Sequence, residues 1–542
     1  MPSTPTTKSQ VQAYRFVLRR MQSALVRKDA VMLHDPMQTH SRATAVGVIV
    51  AVIGMLGFLV FGILKPAAPV PNSGIVIGKE SGQIYVKTEA TASAPAMLIP
   101  TFNLASARLI LMGNTQQGEG GAAPGGAPQQ VDPVQPDVVP DDRLKDIPRG
   151  RLQGIPDGPP LLPDDDQRIE DHWAVCDHLQ FRNDLTDQEN LAQTEPTTAV
   201  LSGVADLGEP LGRNQAIFAK DAEDTAYLIY RPAENANTTS DMVRAEVDLG
   251  EAGRSVRTAL NLDGHQPREM STAVLNAIET VDSLTPGGVP SAGEPSPFDL
   301  GGADVRIGGV FQVTRTTGPE YFLLLRDGVQ PISAAVAEVI RYERSDSGVI
   351  PNVRPDVLAD LNRAEALEVD HYPTAVPEVL NPLKGYSALC LGWTVTGEGD
   401  DQDARTTVYV GNRMPLPKDE DGDEALPFKV GQANPDGTRI DQFFMPPGRA
   451  AVVHAATSKE SFQSGPMFLI SDRGMRYGIP DQATAAHLGL AKQRPAPDAI
   501  VRLLPAATML SAQAAKCTFD SVPIGPETPK CQAQEQAAAS GS

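Results

Sequence analysis

The chain has 542 residues, of which 41% are apolar and 21% are charged, and its formal net charge is −21 at pH 7. This length is enough for two or three globular units, and the apolar fraction allows most of the chain to bury a core. The acidic balance argues against nucleic acid as a ligand, because the phosphate backbone binds basic surfaces.

Residues 1–42 contain a predicted amphipathic helix with one apolar stripe. The stripe follows a 3-4 spacing and comprises Val11, Tyr14, Leu18, Met21 and Leu25. Two interpretations compete: the stripe lies on anionic lipid, or it docks on a cytosolic partner with Tyr14, Leu18 and Met21 buried. Both explain why a short exposed segment carries a continuous apolar face.

Residues 43–64 form an uncharged apolar run of 22 residues, long enough to cross a bilayer as a helix. A cleaved signal peptide is the competing interpretation, but its apolar region is shorter and a small-residue cleavage motif is missing here. Residues 1–42 carry a net charge of +5, which leaves −26 for the remainder. Because basic flanks stay inside, we expect a cytosolic N-terminus and an outer C-terminal part.

All four cysteines follow this predicted span, in what would be an oxidising compartment. Their even number suggests two disulfides, for which three pairings exist. Cys517 and Cys531 are 14 residues apart and predict a local loop, which leaves Cys176 to pair with Cys390. The only two tryptophans, Trp173 and Trp393, stand three residues from this second pair, so we expect a disulfide packed between indoles.

The outer part shows a recurring pattern of strand, turn, strand and helix, which we interpret as four repeats. Their shared feature is a short hairpin that cannot fold well alone, so we expect them to pack around a β-rich core. The fold class is therefore α+β. The predicted segments are a cytosolic helix (1–42), a transmembrane helix (43–64), repeat 1 (74–112), a Gly/Pro-rich linker (113–163), a first core segment (164–222), repeat 2 (223–262), repeat 3 (306–343), a second core segment (344–463), repeat 4 (464–504) and a C-terminal tail with a local disulfide (505–542).

Motifs for catalysis are missing from the sequence. Residues 74–81 come nearest to a phosphate-binding loop, but one residue too few separates the glycines, and Glu80 stands where a hydroxyl belongs. His172, Cys176 and His178 are a weak metal-site candidate, since a cysteine in an oxidising compartment more often forms a disulfide. We therefore predict no catalytic residues, no metal and no cofactor from the residues themselves.

Several stretches closely resemble EccB, a membrane component of the actinobacterial type VII (ESX) secretion system. The resemblance is carried by residues 12–29, Asp35-Pro36, residues 103–109, 154–156, 173–177 and 321–328. It implies one transmembrane helix, an elongated periplasmic part with four repeats around a disulfide-linked central domain, and localisation to the inner membrane.

The resemblance also implies a function and partners. EccB assembles with EccC, EccD and EccE into a roughly hexameric complex, self-associates through its periplasmic part, and is joined by the periplasmic protease mycosin. The expected function is structural and assembly-related. The alternative is an extracytoplasmic enzyme, either an ATPase, since the family is described as having ATPase activity with ATP as its ligand, or a cell-wall-acting hydrolase.

Overall fold

The structure is a computed structural model, and it describes residues 7–28, 36–64, 69–91, 95–118, 132–234, 236–238, 240–285, 287–344, 348–397, 401–418, 421–430 and 440–519. The chain divides into two compact units, Met1–Pro69 and Val70–Ser542. We call them the N-terminal unit and the C-terminal unit and describe each by itself.

The described residues of the N-terminal unit form two helices, α1 (Lys8–Arg27) and α2 (Pro36–Leu64). Helix α1 begins at Thr7, whose backbone N–H donates to the Gln10 side chain, and it ends at Lys28 in a left-handed conformation. Such reciprocal capping satisfies amides that the first turn leaves unpaired. Within α2, Arg42–Gly62 is long and apolar enough to cross a membrane, and it coincides with the predicted span.

In the described residues of the C-terminal unit, one motif occurs four times, each time with three antiparallel strands followed by a helix. The copies are repeat 1 (β1 Gly74–Gly78, β2 Ile84–Lys87, β3 Leu98–Thr101, α3 Leu104–Gly118, followed by β4 Asp137–Val139), repeat 2 (β8 Gln215–Lys220, β9 Ala226–Tyr230, β10 Val243–Val247, α5 Arg254–Ala259), repeat 3 (β13 Val310–Arg315, β14 Gly318–Leu324, β15 Val329–Ile332, α7 Ala334–Glu343) and repeat 4 (β21 Ala450–Ala456, β22 Met467–Ser471, β23 Arg476–Ile479, α9 Gln482–Leu488).

The repeats therefore contain one strand more than the predicted hairpins. In repeats 2 and 4 this first strand, β8 or β21, begins before the predicted boundaries at 223 and 464. Its apolar run lacks the turn residues that marked the hairpins, which is why the sequence did not assign it to a repeat.

Of the remaining elements, seven strands form a central sheet, and other strands extend the sheets of repeats 2 and 4. The elements are β5 His172–Leu179, α4 Asp187–Gln193, β6 Pro196–Ser202, β7 Glu209–Pro210, β11 Arg268–Glu269, α6 Thr272–Ala277, β12 Glu279–Val281, α8 Pro355–Ala359, β16 Glu378–Val379, β17 Ala388–Thr396, β18 Asp403–Gly411, β19 Phe428–Lys429, β20 Gln442–Phe444, β24 Arg494–Pro497, α10 Asp498–Val501 and α11 Ala512–Ala515. The strand order is β19-β20-β6-β5-β17-β18-β7.

The repeats share their cores in pairs. Side chains of repeats 1 and 4 meet in one apolar cluster, and those of repeats 2 and 3 meet in a second. A third cluster lies between one face of the central sheet and parts of repeats 2 and 4. Each small repeat thus completes its core against a distant part of the chain, as expected for motifs too small to fold alone.

Two predicted irregular segments are corrected by the structure. Within the predicted linker 113–163, β4 pairs in parallel with β1, and Val139, Leu144 and Ile155 are buried. Within the predicted tail 505–542, Leu510 and Ala515 are buried against repeats 1 and 4. Spaced apolar residues anchor both segments, although the first is rich in Gly and Pro. Residues 119–131 and 520–542 lie outside the described part of the chain.

Candidate functional site

The disulfide between Cys176 and Cys390 lies at the centre of the seven-stranded sheet. The two residues stand directly opposite each other on antiparallel β5 and β17, with an S–S distance of 2.06 Å and Cα atoms 4.0 Å apart. Both are buried and 214 residues apart in sequence. The predicted pairing is confirmed, whereas Cys517–Cys531 stays a prediction because Cys531 lies outside the described residues.

The tryptophans occupy the opposite face of the sheet from this disulfide. Trp173 and Trp393 are cross-strand neighbours, and both belong to the cluster shared with repeats 2 and 4. Cys176 and Cys390 belong to a separate, smaller cluster. The expectation of a disulfide packed between indoles was wrong, because side chains alternate along a strand and an offset of three residues changes the face.

A buried carboxylate, that of Asp177, lies on the tryptophan face. Its oxygens accept hydrogen bonds from the Thr198 hydroxyl (2.7 Å) and from the Ser271 backbone N–H (2.7 Å) and hydroxyl (2.8 Å). Burial raises the pKa of Asp177, and these hydrogen bonds and the Arg268 charge oppose that rise. The carboxylate therefore joins β5, β6 and the start of α6.

Arg268 completes this polar cluster. Its guanidinium donates to the backbone carbonyls of Tyr386 and Ser387 at 3.0 Å each, and burial lowers the pKa of Arg268 to about 10. Asp177 and Arg268 are not among the site residues predicted from the sequence. The available signal was a carboxylate in the middle of an apolar strand, since isolated buried charges need dedicated partners.

The predicted docking residues lie on the exposed surface of α1. The exposed fractions are 67% for Tyr14, 38% for Leu18 and 52% for Met21 within this single chain. Three apolar side chains on one helical face thus remain available for a covering surface. Whether lipid or protein covers them stays a prediction.

The comparisons with known proteins decide the family. The family model described as "Type VII secretion system ESX-1, transport TM domain B" matches residues 3–524. The chain belongs to the EccB family. One relative, "ESX-1 secretion system ATPase EccB1" of Mycobacterium tuberculosis, is 28% identical over 533 residues, which cover 97% of this chain and 98% of the relative.

Solved structures of the EccB family share the fold. A chain of an intact ESX-5 inner membrane complex has a TM-score of 0.64 and 26% identity, covering 97% of this chain and 98% of that one. A chain of the periplasmic assembly from the ESX-5 inner membrane complex has a TM-score of 0.62 and 25% identity, covering 85% and 97% respectively. The similarity thus extends over both units of this chain.

The name of EccB1 contains the word ATPase, and residues 74–81 are the segment of this chain that comes nearest to a phosphate loop. A phosphate loop joins a strand to a helix, whereas here β1 continues through a tight turn into β2. The backbone N–H and hydroxyl of Ser81 both donate to the Asp141 carboxylate, at 2.9 and 3.1 Å. The Asp141 carboxylate already accepts from both Ser81 donors. The segment is therefore a β-hairpin and does not have the geometry of a phosphate loop.

The weak metal candidate loses its thiol ligand to the disulfide. Cys176 is in the disulfide and points to the face opposite Trp173, while His172 contacts Glu170 at 3.5 Å. Among the described residues, no group of three or more His, Cys, Asp or Glu side chains is arranged to hold a metal ion.

Proposed function

We propose that this protein is a structural and assembly subunit of a type VII secretion membrane complex and forms part of its periplasmic layer. The observation that carries the proposal is similarity over nearly the whole length to a chain of an intact ESX-5 inner membrane complex. The fold supports it, since one candidate span precedes a large β-rich unit stapled by a buried disulfide.

The proposed partners are EccC, EccD, EccE and the protease mycosin, together with further copies of this chain. Purification of a tagged full-length chain from its native host in mild detergent tests them. Mass spectrometry should detect these components in a large complex. Recovery of the chain alone under conditions that preserve other membrane complexes would contradict the assembly role.

The proposed orientation places residues 1–42 in the cytosol and the C-terminal unit in the periplasm. It rests on the +5 charge before the span against −26 for the rest, because basic flanks remain cytosolic. Alkaline phosphatase, which is active only outside the cytosol, should be active when fused to the C-terminus and inactive when fused to the N-terminus. The reverse pattern would contradict the orientation.

We further propose that α1 docks on cytosolic parts of the partner subunits through Tyr14, Leu18 and Met21. Changing Leu18 and Met21 to Asp introduces two charges into the apolar face, and burying each unpaired charge costs several kcal/mol, about 3 or more. This variant should remain in the membrane through α2 and should lose its place in the complex.

The matched control for α1 places the same charges on the opposite helical face. Gln12→Asp with Ser23→Asp adds two carboxylates of equal helix propensity away from the stripe, and it should assemble normally. Native gel migration of the membrane complex compares the two variants. Assembly of the Leu18→Asp/Met21→Asp variant at normal yield would assign the stripe to lipid.

The names of the relatives, which contain the word ATPase, favour a second candidate, an extracytoplasmic ATPase. Phosphate release by the full-length chain, purified free of motor subunits, tests this candidate. We expect no turnover that depends on residues 74–81. ATP hydrolysis abolished by Lys79→Ala would support the enzyme instead.

A further inference from the structure

The outer edge of β18 is open along its first half. This strand runs from Asp403 to Gly411, but its neighbour β7 pairs only with Tyr409 and Val410. The Leu211 N–H donates to the Val408 carbonyl at 2.8 Å, which fixes the even-numbered residues as those whose backbone groups face outward. In the described part of the chain, the outward backbone groups of Ala404 and Thr406 therefore have no strand partner.

A cleft with a volume of about 550 Å³ lies against this open edge. Its apolar floor contains Leu391, Trp393 and Phe462, and the two aromatic rings meet edge to face with centroids 6.2 Å apart. Thr406 is the cross-strand neighbour of Trp393, so the open edge and the aromatic floor share one face.

The walls of the cleft come from different parts of the fold. The segment that follows repeat 2 contributes Asn276 and Glu279, the connection between β21 and β22 of repeat 4 contributes Glu460, and α10 contributes Asp498. With Asp403, four carboxylates and two cationic side chains line the cleft, and one of these cations, Arg502, pairs with Asp498 at 3.7 Å. The cleft is thus acidic, as is the whole chain with its net charge of −21.

We infer that this cleft binds an extended, basic segment of a partner polypeptide by adding it as a strand to β18. An unpaired strand edge provides backbone donors and acceptors, and a neighbouring pocket selects alternate side chains. Side chains at every second position of the added strand face the cleft, where the aromatic floor suits apolar side chains and the wall carboxylates suit lysine or arginine. This surface is separate from α1 and deepens the proposed assembly function, on which it rests, by defining the chemistry of one partner.

Fluorescence anisotropy with the full-length chain in detergent tests the inference. The probe is a fluorescein-labelled heptapeptide, Lys-Thr-Leu-Thr-Leu-Thr-Lys, which presents its lysines and leucines on one face of the strand, and its control replaces the lysines with glutamates. We expect saturable binding of the first peptide only. Since strand addition uses the backbone, N-methylation of one alternate set of amides should abolish binding, whereas methylation of the other set should preserve it. Equal binding of both methylated peptides would overturn the inference.

A variant of the protein provides the second test. Thr406→Pro removes one outward N–H without removing a bond to β17, and we expect about tenfold weaker binding or worse. Thr406→Val keeps the N–H and should bind within about twofold of the unchanged chain. Unchanged affinity in a Thr406→Pro variant with normal thermal unfolding would overturn the inference; if that variant fails to fold, the methylated peptides decide.

Light scattering separates a second copy of the chain from a basic partner. A dimer that Thr406→Pro dissociates, together with no peptide binding, would assign the edge to self-association and overturn the inference. Because these measurements need only the purified chain, they are independent of the α1 variants. Peptide binding with failed complex assembly, or the reverse, therefore identifies which of the two proposals is wrong.

Discussion

The two faces of the central sheet are built from the same strands but differ in what covers them. The tryptophan face packs against repeats 2 and 4 in one large apolar cluster. The disulfide face carries a small cluster under loops, beside a cavity of about 590 Å³ lined in part by Leu207, Cys390 and Met414. The tryptophan face is therefore stabilised by extensive apolar packing, whereas the disulfide face has less apolar packing and a covalent bond.

This difference separates two ways of holding distant segments together. Apolar burial stabilises in proportion to the area removed from water, about 25 cal/mol per Å², so it needs a partner surface. A disulfide acts on the unfolded chain and needs only one neighbouring residue. The contrast predicts that the two faces respond differently to equivalent substitutions.

Removing the disulfide should have the largest effect. In the chain-entropy model, closing a loop between residues 214 apart contributes about 5 kcal/mol. Cys176→Ala with Cys390→Ala should therefore lower the thermal midpoint of the C-terminal unit strongly, and reductant should shift the melting of the variant less than that of the unchanged chain. A midpoint equal to that of the unchanged chain would show that packing alone holds β5 to β17.

The features that could be predicted from the sequence are those that depend on short-range patterns. The span, α1, the hairpins of the repeats and the Cys176–Cys390 pair were predicted, because each is marked by local spacing or by elimination. The opposite faces of cysteine and tryptophan also follow from the alternation along β5 and β17, so that error was avoidable. Family resemblance supplied the secretion complex, which no spacing in this chain indicates.

Long-range partners could not be predicted in the same way. Asp177 finds Thr198 and Ser271 at separations of 21 and 94 residues, and nothing local marks these hydroxyls as its partners. The shared core of repeats 1 and 4 likewise joins the two ends of the C-terminal unit. The cleft at β18 depends on strand order, which hydrophobic patterns leave undetermined.

A matched pair of leucines compares packing on the two faces. Leu389 is fully buried on the tryptophan face, whereas Leu207 lines the cavity on the disulfide face. Leu389→Ala leaves a cavity in dense packing and should cost about 4 kcal/mol, while Leu207→Ala should cost about 2 kcal/mol because the site is already partly open. Chemical denaturation of both variants measures the difference. Equal losses would mean that the disulfide face is packed as densely as the other.

The last comparison concerns the carboxylate buried on the tryptophan face. Burial raises the pKa of Asp177 in the folded state, so the folded chain holds this proton more tightly than the unfolded chain does. The resulting stability is present below the ordinary aspartate pKa of about 4 and is lost as pH rises through the folded pKa. The loss amounts to about 1.4 kcal/mol for every tenfold difference between the acid constants of the folded and unfolded states.

Asp177→Asn removes this titration while keeping a polar group for Ser271 and Thr198. The unfolding free energy of the unchanged chain, relative to that of the variant, should therefore fall as pH rises above about 4. Thr198→Val removes a hydrogen bond that favours the charged carboxylate, so it should extend this fall to higher pH. Denaturation of the three proteins between about pH 4 and pH 8 provides the comparison. A difference that does not vary with pH would mean that the hydrogen bonds and Arg268 fully offset the burial of the charge.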